Sequence, residues 1–301
     1  MDSFLIREWR PDDPAAALPM LDAASVSVAR ERVRTEAARL GLPVETTAKL
    51  VNVASELANN QLAHARSGWI SIGEIRRGGV AGLEVCAVDE GRGIDDPARA
   101  LGGGASTAGT LGVGLAAVLE LAREVDFDVR RGEGTCIRAR VFASDVPRLR
   151  EVGVFSRPYP GEPVSGDGAL FCRSDDRLVL AVADGLGHGE EARAATTAVL
   201  EAARSAMGQG PQAMLAAGHA AAAGTRGAAM TVAVIDGQGR LSLAGVGNVM
   251  ACIVGPRKSS RFTGSPGVVG APGPLRRIGF EETPLSPYDA VVLFTDGLSS
   301  R

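Results

Sequence analysis

Both halves of this 301-residue sequence contain acidic side chains at spacings that could bind or transfer phosphate. In the first half an amide side chain accompanies them. In the first half, Glu56 and Asn60 are four residues apart, so on a helix both side chains project from one face. A carboxylate in that position can orient a nucleophile while the amide oxygen helps to hold Mg²⁺. The alternative is that Glu56 and Asn60 are ordinary polar residues on the exposed face of a helix. The segments around the pair must decide between the two interpretations.

Two glycine-rich segments follow this pair. Asp89 ends an apolar stretch, and a carboxylate at a strand end can accept a hydrogen bond from the amino group of adenine, although Asp-x-Gly-x-Gly is also the pattern of a simple turn. Gly112 and Gly114 stand where the loop 102–110 enters a helix, which is how backbone N–H groups and the helix dipole bind phosphate. A glycine-rich hinge is the alternative there. Together with Glu56, the segments favour a nucleotide site.

Three aspartates in the second half have the pattern of a metal site. Asp184 and Asp296 each follow a continuous apolar run, Val179–Ala183 and Val291–Phe294, and each begins the triplet Asp-Gly-Leu, whereas Asp167 stands earlier in a Gly-Asp pair. Carboxylates at the ends of buried strands repel each other unless divalent cations neutralise them. Any one Asp-Gly could be a turn. Three of them favour paired cations that activate a bridging water.

The histidines and cysteines give weaker signals. His188, in the string Asp-Gly-Leu-Gly-His-Gly, is either a metal ligand or a residue that shapes the loop. His64 and His219 lie on predicted helices without a partner nearby in sequence, which favours structural or solvated roles. The four cysteines are scattered singly, which favours small buried thiols in a reducing cytosol over a zinc or redox site.

Apolar spacing predicts two helices, a hairpin, a third helix and a second hairpin in the first half. These elements are helices 25–40, 44–65 and one from Leu111, and strands 69–75, 83–88, 124–130 and 135–142. Their order predicts helices packed on one face of a mixed sheet.

The second half contains many predicted strands and two alanine-rich helices, which indicates an α/β sandwich. The predicted elements are strands 152–155, 169–173, 178–183, 230–235, 240–244, 249–254, 275–280 and 290–294, and helices 190–206 and 211–223. We therefore divide the chain into an extension 1–24, a first domain 25–143, a linker 144–150 and a second domain 151–301.

Composition narrows the function classes. A hydrophobic fraction of 45% supports two cores, and 22% charged residues with a formal net charge of -3 do not make the basic stripe that nucleic-acid binding requires. Neither a signal peptide nor a run of about 18 apolar residues is recognisable. We therefore expect a cytoplasmic protein without a nucleic-acid or membrane partner.

In their order along residues 25–142, the segments of the first half resemble the Bergerat-type ATP-binding fold of histidine kinases and gyrases, and most closely the small anti-sigma serine kinases of the RsbT type. The resemblance implies an α/β sandwich that binds ATP with Mg²⁺. Asn60 would hold Mg²⁺, Glu56 would act as base or water orienter, Asp89 would read adenine, and 102–110 would be the ATP lid. The residues implied to line the nucleotide are Gly91, Gly93, Gly112, Gly114 and Thr135.

Residues 152–301 resemble the PP2C-type phosphatases of the SpoIIE and RsbX group, which implies an αββα sandwich with two Mn²⁺ or Mg²⁺ ions. By this resemblance Asp184 bridges both metals at the catalytic centre, Gly185 contributes its carbonyl, and Asp167 and Asp296 each serve one metal. The family continues through a helix to a further strand that bears another metal-binding aspartate. We therefore expect this chain to be a fragment, truncated at the C-terminal end of the sandwich, with a weakened metal at Asp296.

The two sites together predict a bifunctional partner-switching regulator, a serine/threonine phosphatase that also has an ATP-binding, serine-kinase-like domain. Its implied partner is a phosphorylated STAS-domain antagonist, with a sigma factor or a stressosome-like complex as further candidates. Two alternatives stay open: an ATP-dependent binding module with a degenerate phosphatase half, and a phosphatase that ATP occupancy controls through the linker.

Overall fold

The computed structural model describes residues 17–65, 67–95, 111–173, 177–256 and 259–297. The chain divides into two compact units, residues 1–155 and 156–301. The predicted lid, residues 102–110, lies outside the described residues.

The described part of the first unit contains three helices and six strands. These are α1 (Ala23–Arg39), α2 (Val44–His64), α3 (Leu111–Leu121), β1 (Leu18–Pro19), β2 (Gly68–Arg77), β3 (Val80–Asp89), β4 (Glu124–Arg130), β5 (Gly134–Phe142) and β6 (Gly153–Ser156). The predicted order of helices and strands is confirmed, and β1 and β6 are additions at the two edges of the sheet.

Local sequence signals fix the ends of the first two helices. Asp22 accepts a hydrogen bond from the backbone N–H of Ser25, and the Ser25 hydroxyl oxygen in turn accepts from the Asp22 N–H, which makes a capping box for α1. The following Gly41 has a φ of 64°, which glycine adopts without strain, and α2 begins after Pro43. The turn between α1 and α2 is therefore short, and it allows the two helices to pack against each other.

The six strands form one sheet in the order β1-β2-β3-β5-β4-β6. Strands β2 and β3 pair in antiparallel register from Gly68 opposite Asp89 to Arg77 opposite Val80, and β5 pairs with β3 and β4 on its two sides. Helix α2 packs on the sheet and contacts α1 and α3. Leu50, Leu57, Ile70 and Leu83 are fully buried in this core, and their burial stabilises the position of the α2 face that carries Glu56.

The segment predicted as a linker is hydrogen-bonded to side chains of β4. Within it, the backbone N–H of Leu149 donates to Glu124, and just beyond it the N–H of Val152 donates to Asp126 at 2.9 Å. Both carboxylates are buried, with exposures of 1% and 0%. Buried carboxylates need such donors, so the chain stays on this edge until β6 completes the sheet.

Strand β6 corrects one expectation. We predicted that residues 152–155 open the second half, whereas β6 lies in the first sheet, and the first unit runs to Phe155. The reason is nonlocal: Phe155 packs on Phe127 with ring centroids 5.2 Å apart.

The described part of the second unit contains two helices, a 3₁₀ turn and eight strands. These are β7 (Asp167–Arg173), β8 (Arg177–Gly185), α4 (Gly189–Ser205), the 3₁₀ turn Met207–Gln209, α5 (Pro211–Ala221), β9 (Ala228–Asp236), β10 (Arg240–Val246), β11 (Met250–Val254), β12 (Ser259–Thr263), β13 (Gly279–Pro284) and β14 (Ala290–Phe294).

These strands make two sheets, in the orders β13-β10-β9-β8-β7 and β12-β11-β14. Helix α4 packs on β7 and β8, and α5 packs on β9 and β10. The approach of α4 is close, since a Cβ atom on Gly168 would lie 2.6 Å from the Thr196 methyl group. One helical layer and two sheets are thus present among the described residues.

Two strand assignments in this unit need adjustment. The strand predicted at 275–280 is found at 279–284, and β12 was not predicted because its residues are mostly polar and exposed, with Phe262 the buried exception among the five. The mixed α/β class itself is confirmed in both units. No helix in the described ranges has the length and apolar character needed to cross a membrane.

Candidate functional sites

Glu56 and Asn60 lie on one face of α2, and the first turn of α3 comes up against that face. Gly112 and Gly114 are both in α3. A Cβ atom on Gly114 would lie 2.6 Å from Glu56 Oε2 and 3.5 Å from Asn60 Oδ1. A side chain at this position would therefore clash with the Glu56 carboxylate, and glycine allows the start of α3 to lie close to both polar groups.

Asp89 ends β3 in a largely buried position. Its Oδ1 accepts a hydrogen bond from the backbone N–H of Gly91 at 2.8 Å. Burial raises its pKa to about 6, against the opposing effect of hydrogen bonds from the backbones of Gly91 and Thr135. At neutral pH the carboxylate is thus ionised and remains an acceptor for an amino group.

The backbone around Asp89 is closely packed. Thr135 stands directly opposite Asp89 in the β3–β5 pairing and is buried. Gly134 has a φ of 146°, and a Cβ there would overlap the Asp89 carbonyl oxygen, while a Cβ on Gly93 would lie 2.5 Å from the Arg130 carbonyl oxygen. The predicted residues Asp89, Gly91, Gly93 and Thr135 therefore come together at one end of β3.

Gln61 adds a residue that sequence reasoning missed. Its side chain is 4% exposed, and its Nε2 donates to the carbonyl oxygens of Trp69 at 3.1 Å and Val88 at 2.9 Å. These bonds join the end of α2 to β2 and β3 beside Asp89. The neighbouring His64 is partly buried, and burial and the charge of Arg92 lower its pKa.

This arrangement fits ATP with Mg²⁺ in the kind of groups it offers. An amide oxygen and a carboxylate face a glycine cradle, and an ionised acceptor stands at a strand end. Such a set can hold a cation, a phosphate chain and a base with an amino group.

The Asp89→Asn variant should lose ATP affinity by about tenfold or more, because an amide NH₂ facing the adenine amino group would replace an acceptor with a donor. It should also gain about 2 kcal/mol in free energy of unfolding at pH 8. The raised pKa means that the folded carboxyl holds its proton between about pH 4 and pH 6, so its cost to stability is complete above pH 6 and is relieved by acid.

Nucleotide titration calorimetry and urea unfolding measure the two effects. Asp95→Asn removes a carboxylate that is about half exposed and paired with Arg131, and it should leave both quantities nearly unchanged. Unaltered ATP affinity in the Asp89→Asn variant would exclude Asp89 from the nucleotide site.

Asp167 and Asp184 stand directly opposite each other on β7 and β8. A hydrogen bond joins their side chains, and the Thr295 hydroxyl donates to Asp167 Oδ2 at 2.9 Å. Asp296 follows Thr295 and acts electrostatically on both carboxyls. The structure thus joins Asp167 to Asp184 and brings Asp296 near enough to affect both, although the three residues are far apart in sequence.

Burial and the neighbouring negative charges raise the pKa values of two of these acids. Burial, followed by the charges of Asp167 and Asp296, raises the pKa of Asp184 to about 7. Burial also raises the pKa of Asp167, an effect to which the charge of Asp296 adds. A nearby divalent cation would favour the ionised form of both acids and offset the repulsion between them.

The donor set fits a hard divalent cation in kind, since all three side chains offer carboxylate oxygens. Across the described ranges, however, no three His, Cys, Asp or Glu side chains surround a common point as a complete metal site. In this geometry the space between Asp167 and Asp184 is closed by their mutual hydrogen bond. A cation would have to displace the shared proton.

Gly185 and His188 hold the loop after β8. A Cβ on Gly185 would overlap the carbonyl oxygen of Ala192 in α4, so glycine allows the loop to lie against the helix. His188 Nδ1 is hydrogen-bonded to Glu162 at 2.5 Å, and its ring stacks on Tyr159. These contacts favour the interpretation of His188 as a loop-shaping residue. Its partners were not predicted because they lie 26 and 29 residues earlier.

His219 has a structural role in the second unit. Its Nδ1 accepts from the Gly270 N–H at 3.0 Å, and its Nε2 lies 2.8 Å from the Gly273 carbonyl oxygen. An acceptor at Nδ1 requires the proton on Nε2, so the ring is neutral and ties α5 to the loop after β12. The structural alternative proposed from the sequence is thus the one its contacts favour.

Comparisons with known proteins give one family match within each unit. Residues 20–141 match the family model described as histidine kinase-like ATPase domain, and residues 174–301 match the one described as stage II sporulation protein E (SpoIIE). The serine/threonine-protein kinase RsbT of Bacillus subtilis (strain 168) is 37% identical over 114 residues, which are 38% of this chain and 86% of that protein. Asp184 and Asp296 lie inside the second matched range, and Asp167 lies just before it.

Two solved structures are among the similar ones. A chain from a structure described as the bacterial stressosome, a modular system adapted to control secondary messenger signalling, is 29% identical, covers 48% of this chain and 75% of that chain, and has a TM-score of 0.46. RsbX in complex with magnesium is 23% identical, covers 47% of this chain and 71% of that chain, and has a TM-score of 0.44.

Proposed function

Because the chain belongs to the RsbT family of serine/threonine-protein kinases through its first unit and carries a SpoIIE domain in its second, we propose that it is a bifunctional partner-switching regulator. Its second unit removes phosphate from a phosphoserine or phosphothreonine protein, and its first unit binds ATP with Mg²⁺. The observation that supports this most is the convergence of Asp167, Asp184 and Asp296.

The first unit is a kinase-like ATP-binding domain in this proposal. Asn60 would hold Mg²⁺ and Asp89 would accept a hydrogen bond from adenine. Glu56, on the same face of α2, orients the attacking hydroxyl of a bound protein and accepts its proton. Gly112 and Gly114 allow backbone N–H groups to approach the phosphates. The result is a serine-directed kinase that acts on the partner switched by the second unit.

The second unit is the phosphatase. Asp184 would bridge two Mn²⁺ or Mg²⁺ ions with Gly185 contributing its carbonyl, and Asp167 and Asp296 would each hold one ion. When bound, such ions supply an activated water and neutralise the phosphoryl oxygens. The Thr295 hydroxyl holds Asp167 in orientation. Helix α4 keeps the Gly185 backbone in place, because no side chain fits between them.

The partner we propose is a cytoplasmic STAS-domain antagonist that carries the phosphate, alone or within a stressosome-like complex, with a sigma factor as the alternative. Family membership in RsbT supports this choice. A small protein with one reactive hydroxyl could dock at both units in turn. Its free hydroxyl would accept phosphate at the first unit, and its phosphorylated form would lose phosphate at the second.

Phosphatase activity is tested with a phosphoserine STAS protein and with p-nitrophenyl phosphate. We expect phosphate release that requires Mn²⁺ or Mg²⁺, is abolished by EDTA and is restored by added metal. An Asp296→Asn variant should need a higher Mn²⁺ concentration for half-maximal rate than the wild type. Absence of release at any metal concentration, also with a longer form of the protein, would overturn the phosphatase assignment.

Kinase activity is tested with labelled ATP and unphosphorylated STAS proteins. Transfer of label to serine, lost in the Glu56→Gln variant with ATP affinity retained, is the expected result. A stable ATP-dependent complex without transfer would favour the binding-module alternative for the first unit. A phosphatase rate that changes with ATP in the wild type and not in an Asn60→Ala variant would support control of the second unit by the first.

A further inference from the structure

Arg226 lies beside the loop that follows Asp184. Strands β8 and β9 pair with Gly185 opposite Ala228, and the backbone N–H of Leu186 donates to the Gly227 carbonyl oxygen at 3.0 Å. The segment 226–228 therefore runs antiparallel to 185–187. Its register places Arg226 next to Gly187.

The guanidinium group lies directly over the backbone of Gly187. A Cβ atom on Gly187 would be 2.5 Å from Arg226 Nη1, and the φ of Gly187 is 96°. Glycine therefore serves two purposes here, since it allows the loop to turn and leaves room for the guanidinium. The result is a cation beside the loop, two positions beyond the Asp184–Gly185 pair.

The ion pair between Arg226 and its partner Glu191 is exposed and therefore weak. Arg226 forms an ion pair with Glu191, in the first turn of α4, and the two side chains are 51% and 70% exposed. Exposed ion pairs contribute at most about 1 kcal/mol, so a better anion can displace one member. A phosphoryl dianion accepts two parallel hydrogen bonds from a guanidinium group, as a carboxylate can, and it carries a larger negative charge than the single carboxylate of Glu191.

We propose that Arg226 binds the phosphoryl group of the substrate by exchanging Glu191 for two phosphoryl oxygens, and that Glu191 competes with phosphate for this site. The inference rests on the proposed phosphatase function and adds to it a residue that selects a phosphate monoester. The three aspartates carry no positive charge and cannot attract a phosphate dianion by themselves. Arg226 supplies positive charge that does not depend on bound cations.

The first test compares Arg226→Gln with Arg226→Lys. With the phosphoserine protein and Mn²⁺, the glutamine variant should raise KM about tenfold or more and raise the inhibition constant for inorganic phosphate by a similar factor, with a smaller change in kcat. The lysine variant should recover part of the affinity, since lysine keeps the positive charge but lacks the two parallel N–H donors of a guanidinium group. Arg261→Gln, on an exposed position of β12, is the matched control and should change neither constant.

The second test uses Glu191→Gln. Removal of the competing carboxylate should lower the inhibition constant for inorganic phosphate, in the direction opposite to Arg226→Gln. If Arg226 and Glu191 were only a structural pair, both variants would weaken phosphate binding and both would lower the melting temperature. That pattern, or an unchanged KM and inhibition constant in a folded Arg226→Gln variant, would overturn the proposal.

Direct binding separates this inference from the phosphatase assignment. Calorimetric titration of the Mn²⁺-loaded chain with inorganic phosphate should give an affinity that falls about tenfold in Arg226→Gln, whether or not the chain hydrolyses phosphoserine. Phosphate binding that is absent in the wild type, or equal in the two proteins, would refute a role for Arg226. Phosphate binding that depends on Arg226 without any hydrolysis would refute the phosphatase assignment and leave the anion site standing.

Discussion

The Asp184→Asn variant should lose metal-dependent phosphate release by about 10³-fold or more, because a neutral amide would hold a divalent cation much less tightly than the carboxylate, and the activated water that such an ion supplies when bound would be lost with it. Release of phosphate from p-nitrophenyl phosphate at saturating Mn²⁺ measures the loss. A variant that kept more than about a tenth of the wild-type rate would remove Asp184 from the catalytic centre. The Asp145→Asn variant, which neutralises an exposed acid in the first unit, should retain full activity.

The same variant should be more stable than the wild type when metal is absent. The pKa of Asp184 is raised to about 7 in the folded chain, so between about pH 4 and pH 7 the folded state holds a proton that the unfolded state has lost. Stability therefore falls as pH rises through this window, and the cost is complete above pH 7. At a site partly open to solvent we expect about 1–2 kcal/mol.

Thermal unfolding in EDTA at pH 8 and pH 5 measures this effect. The melting temperature of the variant should exceed that of the wild type at pH 8, and the difference should shrink at pH 5. Added Mn²⁺ should raise the melting temperature of the wild type more than that of the variant, since the cation offsets a repulsion that the variant lacks. Equal melting temperatures at both pH values would show that Asp184 is not destabilised by its neighbours.

The Gly185→Ala variant should be destabilised by about 3 kcal/mol or more, since the added methyl group has no space. It would overlap the Ala192 carbonyl oxygen and would lie 2.7 Å from the carbonyl carbon. These are backbone atoms of α4, so no rotation of a side chain relieves the overlap. The helix would have to move away from β8, which would disturb the strand end that carries Asp184.

A second alanine variant separates this overlap from a general effect of replacing glycine. Gly208, in the 3₁₀ turn after α4, has no heavy atom within 4 Å of its Cβ position, so Gly208→Ala should change the free energy of unfolding by less than about 1 kcal/mol. Urea unfolding of both variants provides the comparison. Equal stabilities would mean that α4 does not press on Gly185.

The sequence was most informative where local patterns decide the structure. The helix that carries Glu56 and Asn60 was predicted within one residue of its observed bounds, because its apolar residues recur at threes and fours and Pro43 marks its start. The end of β3 at Asp89 was similarly recognisable. The strands before Asp184 and Asp296 were recognisable from their apolar runs, but β8 and β14 lie in different sheets, so the approach of Asp296 to Asp184 could not be deduced from the strands alone.

Contacts between distant segments could not be predicted in this way. Gln61 bonds to Val88, Glu162 bonds to His188, and Arg226 lies over Gly187, and each pair is joined only once the sheets have formed. Strand β12 was missed for a similar reason, because an edge strand with one buried residue has little hydrophobic alternation. Exposed and partly buried polar residues are thus the least predictable part of both sites.

The carboxylates of Glu124 and Asp126 determine where the two halves of this chain can be separated. The matched ATPase range stops at residue 141, and a cut there would seem to release a complete module. It would also remove Leu149 and Val152, whose backbone N–H groups satisfy two buried acids, and would leave those charges inside the protein with fewer donors. A piece of the first half that keeps both donors therefore has to extend past Val152, eleven residues beyond the end of the matched range.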